Sequence, residues 1–250
     1  MLLRLALLML LALSATAGDF FASWPAGKAE KLSYEMTIFV PSEMKTATSV
    51  EITKMAKPDS VFIIKQSFDI PSQQVEIKST EKYRISDMRF ISSDNMFKFP
   101  PEAKAQLGTD TILIKAQAVG DSIDITSNSP LAPSGRVPSY ADLTTSIGAI
   151  LTSRNYDFKS GNLRKYHQID FLNFTGQPFS VDAKTDSVAE EESITVPAGT
   201  FNCYKTMRSM GEQVGYTYYA KEKNNLPVML EVSNSATKTP LTRIVLTKVE

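Results

Sequence analysis

Hydrophobic and polar residues alternate along most of this chain. In KLSYEMTIFV, Leu32, Tyr34, Met36, Ile38 and Val40 occupy every second position, the period of a strand with one face buried. TSVEITKMA repeats the pattern through Val50 and Ile52 and, less regularly, Met55. SVFIIKQSF is denser in apolar residues and reads as a strand covered on both faces, and QVEIKST resumes the alternation through Val75 and Ile77. Pro58-Asp59 and Pro71-Ser72 punctuate these runs as turns. In TILIKAQAVGDSIDITS, Gly120-Asp121 separates Ile112 and Ile114 from Ile123 and Ile125. A two-residue link with a glycine that tolerates positive φ predicts a hairpin. The last third predicts strands at Tyr166–Asn173, Phe179–Asp182, Glu192–Val196, Phe201–Arg208, Gly215–Ala220, Val228–Ser233 and Arg243–Val249, with Asn224–Pro227 as a turn.

Two stretches interrupt the alternation. Residues 92–109 contain Pro100-Pro101, which can start a short helix over Glu102–Leu107, and residues 128–138 carry three prolines and read as an irregular loop. One helix is predicted, over SYADLTTSIGAILTSR. Tyr140, Leu143, Ile147, Ile150 and Leu151 fall at helical spacing, Ser139 can cap the start, and Asp142 stands near the positive end of the dipole. No period of 20–50 residues recurs, which excludes solenoids and propellers. Short strands joined by turns, with one helix midway, predict an all-β fold: a curled antiparallel sheet with an apolar concave face, across which the amphipathic helix can lie.

The first residues depart from this pattern. Arg4 precedes the apolar run Leu5–Leu13, and Ala15-Thr16-Ala17 is a small-x-small site, the layout of a secretory signal peptide cleaved after Ala17. The run is shorter than the ~20 residues a membrane helix needs. The expected product is a single domain over residues 18–250 in a periplasm or outside the cell, monomeric and not an integral membrane protein. With 27 basic and 27 acidic residues the net charge is zero, and losing Arg4 with the leader barely alters it, so nothing favours nucleic acid. The single cysteine, Cys203, allows no intramolecular disulfide, which a chain of this size does not need. Asn173-Phe174-Thr175 is the one sequon-like triplet.

Candidate chemistry is sparse. A thiol nucleophile needs a base, and the only histidine is His167, so Cys203–His167 is the only available dyad; no nucleophile motif surrounds either residue. Cys203 alternates with Phe201 on a predicted strand and reads as a small core residue. One His and one Cys do not build a usual zinc site, no calcium loop is present, and Glu190-Glu191-Glu192 reads as a solvated turn. Walker A, Gly-x-Gly-x-x-Gly and Gly-x-Ser-x-Gly patterns do not occur. No catalytic residue, metal ligand or cofactor is therefore expected. An apolar cavity remains as the candidate site, with Tyr140, Leu143, Ile147, Ile150 and Leu151 as its lid and Met36, Met44, Met55, Met88 and Met96 as adaptable lining. The same stripe also suits ordinary core packing, and the methionines also suit gap filling.

Three segments resemble a family known as domain of unknown function 3108. LTSRNYDFKSGN is similar to its helix end and following strand start, through Arg154 and Gly161. ITVPAGTFNCYK resembles its turn motif, through Pro197, Ala198, Gly199, Thr200 and Phe201. YTYYAKEKNNLPVMLEV resembles its closing hairpin, through Tyr218, Tyr219, Leu226, Pro227 and Val228. The likeness covers roughly residues 140–250. It implies the unclosed barrel of bacterial lipoprotein carriers and receptors, an exported envelope protein, and a lipid or acyl chain as ligand; it transfers no catalytic residue. An adaptor that binds other envelope proteins and a hydrolase of envelope substrates are the alternative readings.

Overall fold

The computed structural model describes residues 29–39, 43–54, 61–158, 162–172 and 174–250. The leader over residues 1–17, Val40, Met55, the Pro58-Asp59 turn, Gly161 and Asn173 lie outside the described residues. Fifteen strands form one sheet. The first meander comprises β1 (Ala29–Ile38), β2 (Met44–Lys54), β3 (Val61–Ile70), β4 (Val75–Arg84), β5 (Phe90–Lys98), β6 (Thr111–Val119), β7 (Ser122–Ser127) and β8 (Gly135–Pro138). The second comprises β9 (Leu143–Thr144), β10 (Leu163–Ile169), β11 (Val181–Val196), β12 (Gly199–Met210), β13 (Gln213–Ala220), β14 (Leu226–Asn234) and β15 (Pro240–Val249). Within each meander every strand pairs antiparallel with its sequence neighbour, except that β9 runs parallel to β10; the β1–β15 pair joins the two meanders.

This order forces the sheet to curl. The outermost strands, β8 and β9, are consecutive in sequence and separated only by residues 139–142. Laid flat, fifteen strands at about 4.8 Å each would span roughly 70 Å. Five Cα steps reach at most about 17 Å, so the two edges must come round to face each other. Both edge strands are short, and β8 ends in Pro138, which limits further pairing.

Inside the curl, one apolar cluster draws on both meanders, including Leu32, Ile52, Phe62, Ile64, Ile112 and Ile114 from the first and Ile169, Val196, Cys203, Val228 and Leu246 from the second. Loops help to fill the interior. Phe174 packs edge-on against Phe97 and Phe99, Phe171 against Phe179, and Ala132 is fully buried. The outward face of β4 presents Glu76, Lys78, Lys82 and Arg84 to water. No helix among the described residues is long and apolar enough to cross a membrane.

Several sequence expectations need correction. The predicted interruption at 92–109 begins with a strand, β5, whose inward Ser93 and Asn95 hide the apolar alternation. The expected loop at 128–138 ends in β8. The two strands expected at Phe179–Asp182 and Glu192–Val196 belong largely to one strand, β11, with a bulge between Val188 and Glu190. Glu190, Glu191 and Glu192 are strand residues rather than a turn, held by Lys205 Nζ at 2.7 and 3.2 Å from Glu190 and Glu192 and by Lys221 Nζ at 2.8 Å from Glu191. The short helix after Pro100-Pro101 does form, as a 3-10 turn over Pro101–Ala103 and α1 (Lys104–Leu107).

The main helix starts later than its periodicity suggests. α2 spans Ser146–Thr152, followed by a 3-10 turn over Ser153–Asn155. Leu143 and Thr144 instead pair with His167 and Gln168, and Thr145 becomes the cap, its hydroxyl accepting from Gly148 N at 3.0 Å. Ser139 and Asp142 therefore do not cap it; sheet pairing overrides a local preference worth only tenths of a kcal/mol per residue.

Candidate functional site

A cavity of about 330 Å³ opens between the inner faces of β1–β5, the start of α2 and the segment after β10. Strand register orders its wall. Phe68, Ile77 and Phe97 lie side by side on β3, β4 and β5; Gln66, Ser79 and Asn95 form the next inward row; Ile64, Glu81 and Ser93 form the row beyond. Along β4 burial deepens from half-buried Ile77 to Ser79 at 8% exposed and Glu81 at 2%, whereas on β5 Phe97 is already buried. Half-buried Met36 and Ile244, buried Phe171, and exposed Leu172, Ser146 and Asp170 also line it.

Glu81 anchors the deep end. Thr145 Oγ1 lies 2.8 Å from both of its carboxylate oxygens, and Tyr83 donates to Oε2 at 3.0 Å. Burial pushes the carboxyl up to about 7, against the opposing effect of the Thr145 and Tyr83 hydrogen bonds. Tyr83 is itself stacked on Phe62 at 5.1 Å and edge-on to Phe90 at 5.7 Å, which closes the cavity below Glu81. Asn95 Nδ2 donates to Ser93 Oγ at 3.0 Å. Ser79 Oγ is buried and has no hydrogen-bond partner among the described residues.

The five lid candidates part company. Ile147 borders the cavity from the first turn of α2. Leu143, on β9, and Leu151 are buried in the main core. Ile150 packs on a separate cluster of Phe158, Val188 and Tyr219. Tyr140 lies outside the helix and stacks face to face on His167 at 3.7 Å. Of the five methionines, Met36 lines the cavity and Met88 packs against the core.

Two arginines tie the C-terminal end of the helix. At its C-terminal end Arg164 donates to Ala149 O at 2.7 Å and to Thr152 Oγ1 at 2.8 Å, where a cation also suits the dipole. Arg154, buried, pairs with Glu30 on β1 and donates to Asn224 O at 3.3 Å.

The Cys203–His167 dyad does not assemble. Cys203 pairs with Glu192 on β11 and His167 with Ala183 on the same strand. Nine residues of strand separate those positions by roughly 25–30 Å. Cys203 is fully buried, and desolvation, with Glu222 and Glu192 adding to it, pushes its thiol up to about 12. His167 Nδ1 lies 2.7 Å from Asp142 Oδ1.

The polar rows were not singled out from sequence, although a signal was present: in QVEIKSTEKYR the inward parity of Val75 and Ile77 continues through Ser79, Glu81 and Tyr83.

The chain is similar to several solved structures. A β-barrel-like protein of domain of unknown function 1849 from Brucella abortus aligns over 90% of this chain and 98% of its own, with 10% identity and a TM-score of 0.59. A protein with a YmcC-like fold from Bacteroides fragilis aligns over 91% and 98%, at 11% identity and a TM-score of 0.34. A DUF1329 family protein from Desulfovibrio piger aligns over 96% and 92%, at 8% identity and a TM-score of 0.36. The first of these shares the barrel-like fold. No family model matches the chain and no curated protein matches it in sequence, so the resemblance carried by Pro197–Phe201 extends only to that fold.

Proposed function

We propose that this protein is exported and binds an amphiphilic small molecule or acyl chain inside the curled sheet, without catalysing a reaction on it. One observation carries this reading: a cavity of about 330 Å³ lined by apolar side chains from the sheet and α2, with buried Ser79, Glu81 and Asn95 among them. That volume lies at the small end of the roughly 300–1,000 Å³ typical of ligand pockets, which suits one chain rather than a multiply acylated anchor. Binding would draw on burial of apolar surface at about 25 cal/mol per Å². Ile147 is the gating residue of the five lid candidates, because it alone borders the opening. Export rests on the leader-like residues 1–17.

The test uses protein prepared without detergent. Native mass spectrometry should find a co-purifying amphiphile, and a fluorescent acyl probe should be taken up and displaced by unlabelled lipid. Ile147→Trp, which places a larger ring at the opening, should weaken probe binding about tenfold or more. A wild-type protein free of amphiphile that takes up no probe overturns the reading.

A further inference from the structure

The cavity opens beside a second one of different character. Among the residues lining the first, only Ser146, Asp170 and Leu172 are exposed; the rest are buried or half-buried. Its mouth therefore lies between the start of α2 and the segment after β10. The second cavity, of about 320 Å³, shares Asp170 and Leu172 with the first and is otherwise lined by Gln168, Ser180, Asp182 and Lys184. Gln168 Nε2 donates to Ser146 Oγ at 3.0 Å, which holds the two openings side by side. A tail leaving water finds Met36, Phe68, Ile77 and Phe97 within, and a head left at the mouth finds side chains that form hydrogen bonds.

Charge at that mouth is unbalanced. Lys184 Nζ lies 3.1 Å from Asp182 Oδ2, so those two offset each other. Arg208, which donates to Gln168 Oε1 at 3.2 Å, is paired with Asp186 at 2.6 Å. No cationic side chain lines the first cavity, and its other carboxyl, Glu81, is buried and held by Thr145 and Tyr83. Asp170 is exposed, its Oδ1 accepts from Leu172 N at 2.9 Å, and it forms no ion pair among the described residues. One carboxylate therefore sets the sign of the field where the two cavities meet. An ammonium head gains from it, and a carboxylate or phosphate head meets like charge.

We propose that an amphiphile enters the first cavity tail-first and that Asp170 selects a cationic, ammonium-type head, which sits where the two cavities meet. This rests on the reading of the first cavity as an amphiphile site, and the experiment separates the two. Decylamine, decanol and decanoate, each below its micelle concentration, compete with an uncharged fluorescent acyl probe for the protein at about pH 8, where the amine is protonated and decanoate ionised. Decylamine should bind about three- to fivefold more tightly than decanol, and decanoate more weakly by a similar factor, the range of an exposed ion pair. About 0.5 M sodium chloride should bring the three together. Asp170→Asn keeps the oxygen that accepts from Leu172 N; it should abolish the preference for decylamine and leave decanol unchanged. Asp170→Lys should place decanoate ahead of decylamine. Equal binding of the three by the wild type, preference for decanoate, or a preference for decylamine that outlasts either the salt or Asp170→Asn overturns selection by Asp170 while leaving the amphiphile site standing. Binding of none of them overturns both.

Discussion

Glu81 connects the cavity to stability. Its carboxyl rises from 4.5 to about 7 on folding because burial disfavours the anion. The folded chain therefore holds this proton more tightly than the unfolded chain. The contribution is complete below about pH 4.5 and is lost as pH rises to about 7, on the order of 3 kcal/mol in total. Glu81→Gln removes the titration, so the variant should gain on the wild type by about that amount between about pH 5 and pH 8. Urea unfolding of both proteins at the two pH values measures it; a difference independent of pH would assign the titration elsewhere. Cys203 behaves in the opposite sense to a reactive thiol. Buried, with its thiol pushed up to about 12, it should resist iodoacetamide in the native protein and react only on unfolding. Rapid labelling of the folded chain would contradict this placement. In the turn that joins β11 to β12, Gly199 adopts φ 136°, a region nearly reserved for glycine, so Gly199→Val should cost about 1–3 kcal/mol in denaturant unfolding. Pro197, Ala198 and Gly199 thus act through backbone geometry, which a motif expresses directly in residue type.

At the scale of the element, α2 shows what periodicity misses. Tyr140, Leu143, Ile147, Ile150 and Leu151 are apolar at helical spacing, yet Leu143 is drawn into the sheet and Tyr140 onto His167. What sets the helix start is Thr145, whose hydroxyl meets both Gly148 N and the Glu81 carboxylate. Gly148 permits the close approach. A Cβ there would collide with Tyr83 Oη and lie 2.5 Å from Thr144 Oγ1. Alanine improves helix propensity by about 1 kcal/mol, but the collision costs about 3 kcal/mol, so Gly148→Ala should destabilise the protein and weaken probe binding together. Unchanged melting and binding would mean that the helix does not rest on Tyr83 in solution. β5 was illegible for a related reason. Its inward Asn95 lines the cavity and, with Ser93, breaks the apolar alternation that marks the other strands. In sequence β11 resembles two strands because Glu190–Glu192 look like a solvated turn until Lys205 and Lys221 are brought beside them.

The whole molecule depends on pairing between its two ends. β1 pairs with β15, and Tyr34 on β1 donates to Pro227 O on β14 at 3.0 Å, so the meanders share one sheet and one apolar cluster. They should therefore unfold together. Ile114→Ala in β6 and Leu246→Ala in β15, both fully buried, should each cost about 2–5 kcal/mol and lower a single shared melting transition. Calorimetry in which each variant shifted a separate transition would show two independent halves. Because this pairing joins residues far apart in sequence, refolding should be slow for the size of the chain.

The order of apolar and polar residues by itself determined that the protein is mostly strand and that hairpins such as Gly120-Asp121 join those strands. These properties are local: side-chain period and turn chemistry act within a few residues. The tertiary structure alone decided which polar residues line the cavity, where α2 begins, and that β8 and β9 come round to face each other. Ser79, Asn95 and Gln66 are unremarkable in their own strands. They become one row of cavity-lining polar groups only because register sets three strands side by side, next to the row of Phe68, Ile77 and Phe97.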